Sequence, residues 1–145
     1  MKKASFIGFG DFAVERRKIK SELFTQINLI IDWKPIEKII DQHYSKGLSA
    51  TGSPSYQGLM LFKMELLQSW YGLSDYEVED QVNDRISFSR FVGLSLADKS
   101  PDHSVVSRFR TELTQKKVYE KLHKEFNRQL EVHKIIIKSG ALVDA

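Results

Sequence analysis

The sequence predicts an all-α protein: a compact bundle of about five to six helices, followed by a short C-terminal β segment. Three observations carry that prediction. Apolar residues recur at three- and four-residue spacing in successive stretches between Ser21 and Lys134. Explicit helix-boundary signals fall between those stretches, at Gly72-Leu73-Ser74 and Ser100-Pro101. Only after Ile135 does the pattern change, to Ile135-Ile136-Ile137 and Ala141-Leu142-Val143-Asp144 around a Lys138-Ser139-Gly140 turn.

The elements follow in order. Residues 1–20 hold Gly8 and Gly10 among aromatic and basic residues without a period, and read as an arm. Gly8-Phe9-Gly10 lacks the third glycine and the preceding strand of a dinucleotide fingerprint. A first helix over Ser21–Trp33 places Leu23, Ile27, Ile30 and Ile31 on one side. Pro35 suits the first turn of a second helix carrying Ile36, Ile39, Ile40 and Tyr44, which Gly47 ends. Ser49 to Pro54 is a loop. The third helix, about Ser55 to Tyr71, has an apolar arc of half its circumference or more, so it should touch two or more neighbours. Gln57, Glu65, Gln68 and Ser69 take its remaining side.

Gly72 closes that helix. Ser74 and Glu77 form a capping box, and Leu73 with Val78 forms a hydrophobic staple. The helix that starts there carries Val78 and Val82, with a bend before Ile86, Phe88, Phe91 and Val92, and Gly93 ends it. Ser100 as N-cap with Pro101 at the first position opens a helix with Val105, Val106, Phe109 and Leu113 inward. A last helix, about Lys117 to Lys134, buries Val118, Leu122, Phe126 and Leu130.

Composition narrows the function classes. At 145 residues the chain suits one domain with a real core. There is no cysteine, hence no disulfide framework, thiolate nucleophile or Cys-based zinc site. No apolar run is long enough for a membrane span, and a cytoplasmic location is the expectation. Charge is segregated. Residues 2–20 hold six Lys/Arg against two acids, residues 74–98 six acids against two Arg, and residues 103–138 nine Lys/Arg against four Glu. Two basic segments flanking an acidic one suit a polyanionic partner, and equally suit solvated surface charge.

Two stretches have the chemistry for DNA. Ser104, Ser107, Arg108 and Arg110 sit on a candidate recognition helix, where small hydroxyls and arginines read base edges and phosphates. Lys121, Lys124 and Arg128 line one ridge of the last helix, close to Glu120, Glu125 and Glu131, which offer intrahelical ion pairs instead. The four histidines show no metal-ligand spacing with another His or a carboxylate. His103 beside Asp102 reads as a capping group rather than an acid–base pair, and no nucleophile elbow supports a Ser-His-Asp site.

The ordered set of Trp70-Tyr71-Gly72-Leu73-Ser74-Asp75-Tyr76-Glu77-Val78-Glu79-Asp80, Phe88-Ser89-Arg90-Phe91-Val92-Gly93-Leu94, Pro101-Asp102-His103-Ser104, Ser107-Arg108-Phe109-Arg110 and Val143-Asp144-Ala145 resembles the N-terminal part of DDE-type insertion-sequence transposases, the InsH-like group. The resemblance runs from about Ser21 to Ala145. It implies a helical domain at 21–134 that engages transposon-end double-stranded DNA and self-associates, after a basic arm at 1–20. Residues 135–145 would begin a ribonuclease-H-like catalytic domain. It further implies that Asp144 is the first of three carboxylates binding two Mg2+ ions in a full-length parent that cleaves and transfers DNA strands. The second Asp and the Glu are missing here, so the expectation is a truncated transposase, inactive as a nuclease and needing no cofactor of its own. Its partners would be DNA and a second copy, not a membrane. The alternative is a helical dimerisation module without DNA binding.

Overall fold

The structure is a computed structural model, and it describes residues 23–44, 56–95, 97–133, 135–138 and 141–144. The arm at 1–20, Gly47 and the loop at 49–54 lie outside the described residues. Among the described residues the elements are α1 (23–30), α2 (Lys34–His43), α3 (Gly58–Tyr71), α4 (Asp75–Asp84), α5 (Ile86–Val92), α6 (His103–Gln115), α7 (Tyr119–Val132), β1 (Ile135–Lys138) and β2 (Ala141–Asp144). The architecture is the expected helical bundle with a short C-terminal β segment. Its helices are more numerous than expected, because the bend before Ile86 is a full break. Arg85 adopts extended backbone there (φ −106°, ψ 119°), ending α4 and starting α5.

α3 is the centre. Leu61, Phe62, Met64, Leu66 and Leu67 are buried, and the helix packs against α2, α4, α5 and α6. A helix surrounded on most sides must be apolar on most sides. On its remaining side Gln57 and Ser69 are exposed, but Glu65 is only 3% exposed and the neighbouring Lys63 8%. The start of α3 is also later than expected, at Gly58. A Cβ added to Gly58 would stand 2.2 Å from the Cγ2 of Ile40 on α2. The glycine sets how closely α2 and α3 approach.

Around α3, aromatic rings from five helices interlock. Phe24 of α1 lies 5.0 Å from Phe91 of α5, Trp70 of α3 5.6 Å from Phe91, and Tyr44 after α2 4.9 Å from Phe109 of α6. Trp33, between α1 and α2, stacks on Phe126 of α7 with centroids 5.9 Å apart. Gln129 of α7 secures the same junction, accepting the N–H of Asp32 (2.7 Å) and donating to its carbonyl (2.9 Å). A buried amide that serves both backbone groups of one residue leaves neither unsatisfied.

Local boundary signals were mostly correct. The Ser74 hydroxyl accepts the Glu77 N–H (3.1 Å), and the Glu77 carboxylate accepts the Ser74 N–H (3.0 Å). Gly72 and Gly93 take left-handed backbone (φ 64° and 97°) where α3 and α5 end. One assignment is corrected: the N-cap of α6 is Asp102, whose carboxylate accepts the Ser104 N–H (2.7 Å). Ser100 instead donates its N–H to Asn83 (2.9 Å). Ile86, the first residue of α5, is 56% exposed.

At the C-terminal end β1 and β2 pair antiparallel, with Ile135 opposite Asp144 and Lys138 opposite Ala141. No described helix is long and apolar enough to cross a membrane.

Candidate nucleic-acid interface

α6 and α7 form a helical hairpin. The turn between them is Lys116-Lys117-Val118, closed by two backbone bonds: Val118 N–H to the Leu113 carbonyl (2.9 Å) and Lys117 N–H to the Thr114 carbonyl (3.0 Å). Together these make a Schellman closure, which requires left-handed backbone at its C′ residue. That residue is Lys117, with φ of 58° and no glycine to ease it. Short turns of this kind join the two helices of a helix-turn-helix pair.

The start of α6 is surrounded by carboxylates. At the start of α6, Asp102 holds the Ser104 hydroxyl (2.6 Å) as well as its N–H, which keeps the Asp102 carboxyl below its usual range. Glu79 of α4 accepts the His103 N–H (2.8 Å). With Glu77 and Asp80 on α4 this end is acidic. A phosphate approaching Ser104 would meet carboxylates first. Ser107 is half-buried and Arg108 exposed.

Arg110 is partly buried and turned towards carboxylates of α3 and α4. Its guanidinium donates to Glu65 (3.0 Å), Gln68 (3.3 Å) and both oxygens of Asp75 (3.0 and 2.8 Å). The Tyr119 hydroxyl donates to the second oxygen of Glu65 (3.0 Å). Burial pushes the Glu65 carboxyl up, while the Arg110 hydrogen bonds pull the Asp75 carboxyl down. The two carboxylates share one cation, and the geometry favours Asp75 because only it is bonded bidentately. Arg110, expected among the DNA-contacting residues, is one-third exposed and holds an ion pair joining α3, α4 and α6.

The outer side of α7 carries both signs, with Lys121, Lys124 and Arg128 exposed among Glu120, Glu125 and Glu131, while Leu122, Phe126 and Leu130 face the core; Lys117 is exposed in the turn before the helix. Lys121 and Lys124 form no ion pair with a described residue. Arg128 differs, holding the Glu125 carboxylate through Nε and Nη2 (3.0 and 2.8 Å). Lys116 reaches the His43 carbonyl and Glu112 instead of the ridge. Of the seven residues expected to contact DNA, the structure thus gathers Lys121, Lys124 and Arg128 on one ridge and separates them from the Ser104 end. Lys117 was not among them; it is exposed in the left-handed turn that precedes α7.

The comparison with known families gives the class of this helical bundle: residues 12–112 match the transposase domain DUF772. That match spans well over half of the chain, and the chain belongs to this transposase-domain family. Its role is transposase-related. No solved structure matches the chain.

Proposed function

We propose that this domain binds double-stranded DNA through the outward ridge of α7, as the DNA-engaging part of an insertion-sequence transposase of the DDE type. The observation that carries the reading is the exposed row of Lys121, Lys124 and Arg128 on a helix whose opposite face is buried, with Lys117 exposed in the turn before it. Three cations at helical spacing and a fourth in the adjoining turn can meet a phosphate backbone, and each phosphate neutralised releases counterions. The family supports DNA as the polyanion. The acidic end around Asp102 and Glu79 sets polarity, turning the start of α6 away from phosphates.

On the same reading Asp144 is the first carboxylate of a parental two-Mg2+ site. Strand cleavage there needs several further oxygen ligands, so the function proposed for the described residues is binding. The test is anisotropy of a labelled duplex between 50 and 200 mM salt. Log affinity should fall with log salt at a slope of roughly −3 to −4, about −0.9 per phosphate. The Lys121→Gln/Lys124→Gln double variant should flatten that slope by about 2. Absence of duplex binding at 50 mM salt, with or without dimer formation, would refute the proposal in favour of an interaction module.

A further inference from the structure

One cluster of ligating side chains stands apart from the basic ridge. Glu79 on α4, with Asp102 and His103 at the start of α6, brings one carboxylate oxygen each and an imidazole nitrogen within 4.8 Å of one another. His103 Nδ1 is 3.0 Å from Glu79 Oε1 and 3.4 Å from Asp102 Oδ1. These spacings suit a metal shell. Ligands bonded at about 2.0–2.2 Å to one divalent ion lie roughly 3.0–3.5 Å apart when they subtend right or tetrahedral angles.

A second observation concerns the imidazole. The Tyr76 ring, one turn before Glu79 on α4, stacks on the His103 ring with centroids 3.8 Å apart and planes 23° from parallel. That contact fixes the ring plane and keeps Nδ1 aimed between the two carboxylates. A ring plane already fixed by stacking loses less rotamer freedom when Nδ1 takes up an ion. All three side chains retain solvent access, with 31%, 27% and 53% exposure for His103, Glu79 and Asp102, so water can complete the coordination.

We propose that Glu79, Asp102 and His103 form a binding site for a borderline divalent transition ion of the zinc or cobalt type, bridging α4 to α6. One nitrogen and two carboxylate oxygens select such an ion over Mg2+, which prefers an all-oxygen shell with several waters. The site shares no residue with the one expected at Asp144. Its ion replaces the hydrogen bond between His103 and Glu79 with two metal–oxygen bonds and one metal–nitrogen bond.

The experiment is calorimetric titration of the chelator-stripped chain with ZnCl2 at pH 7.5. One equivalent should bind, and His103→Ala and Glu79→Gln should each weaken binding at least tenfold. Asp102→Asn keeps an N-cap side chain and should also lose at least tenfold, which separates ligand loss from a failed helix start. His133→Ala and His43→Ala should bind as the parent does. In the unaltered chain, substoichiometric Co2+ should shift or broaden the ring signals of His103 and Tyr76 before those of the other histidines. The proposal is overturned by no binding up to millimolar zinc, by full-strength binding in His103→Ala, or by cobalt effects centred on His43, His123 or His133.

Discussion

Arg110 on α6 grips Asp75, the first residue of α4, through two parallel hydrogen bonds of 3.0 and 2.8 Å. The same guanidinium reaches Glu65 in the core at 3.0 Å. One side chain therefore joins three helices and neutralises a carboxylate that is 3% exposed. Burying Glu65 alone would be costly, since a charge removed from water needs both a partner and hydrogen bonds.

The consequence is that Arg110→Ala should lower stability by about 3 kcal/mol, the cost of leaving a buried carboxylate unpaired. Arg110→Lys should recover only part of this, because an ammonium cannot make the bidentate contact. Chemical denaturation measures both. The salt slope for DNA should not change in Arg110→Lys if the residue is structural. A slope reduced by about 1 would return Arg110 to the phosphate-contacting set.

Gly58 sets two preferences against each other. Alanine is favoured over glycine by roughly 1 kcal/mol in a helix interior and by less at the first position, where Gly58 stands. Against that, the new Cβ would stand 2.2 Å from a methyl of Ile40, which is 1% exposed and β-branched, so it has little room to turn. Overpacking of this kind costs typically about 1–3 kcal/mol. Gly58→Ala should therefore be net destabilising, by about 1 kcal/mol in denaturant. A stabilised variant would mean that α2 can move away from α3 without loss.

What the sequence made legible divides by distance along the chain. The Ser74–Glu77 capping box and the Gly72 and Gly93 closures could be read because every participant lies within a few residues. Arg110 could not, because its partners Asp75 and Glu65 are 35 and 45 positions away, and an arginine on an amphipathic helix looks the same whether it faces phosphate or carboxylate. The histidine cluster was hidden for the same reason. Asp102 and His103 are neighbours, but Glu79 arrives from another helix 24 residues earlier. Glu65 was misplaced because a polar residue on a broadly apolar helix suggests a wet side, whereas α3 has almost none. The α7 ridge was visible because its spacing is local, although the Lys117 turn before it was not.

Lys63 should give the protein an alkaline stability rise. It is buried beside the Trp33 ring (4.6 Å) and the Phe91 ring (5.4 Å), and burial lowers its pKa to about 8 from 10.5. A lowered folded pKa means that the unfolded chain binds more protons between about 8 and 10.5, so stability grows with pH across that window. Below about 8 the burial cost is present in full, on the order of 3 kcal/mol, offset by about 1 kcal/mol from the two rings. Lys63→Met should accordingly stabilise the fold at pH 7 by about 2 kcal/mol, and the gain should shrink towards zero by pH 10.5. Thermal melts at pH 7 and 10.5 decide it. An unchanged or lowered Tm at pH 7 would show that the rings hold the cation better than burial harms it.

Lys117 joins stability to binding with opposite signs. Its left-handed backbone, φ 58°, costs a residue with a Cβ roughly 1 kcal/mol or more that glycine does not incur. Lys117→Gly keeps both bonds of the Schellman closure and relieves that strain, so Tm should rise by about 2–4 °C. The same change removes one cation from the turn before the α7 ridge. On the proposed DNA surface the salt slope should then fall by about 1 while the fold becomes firmer. A rise in Tm with no change in slope would place Lys117 off the DNA path and confine contact to Lys121, Lys124 and Arg128. A fall in Tm would mean that the lysine side chain stabilises the turn by more than its backbone strain costs.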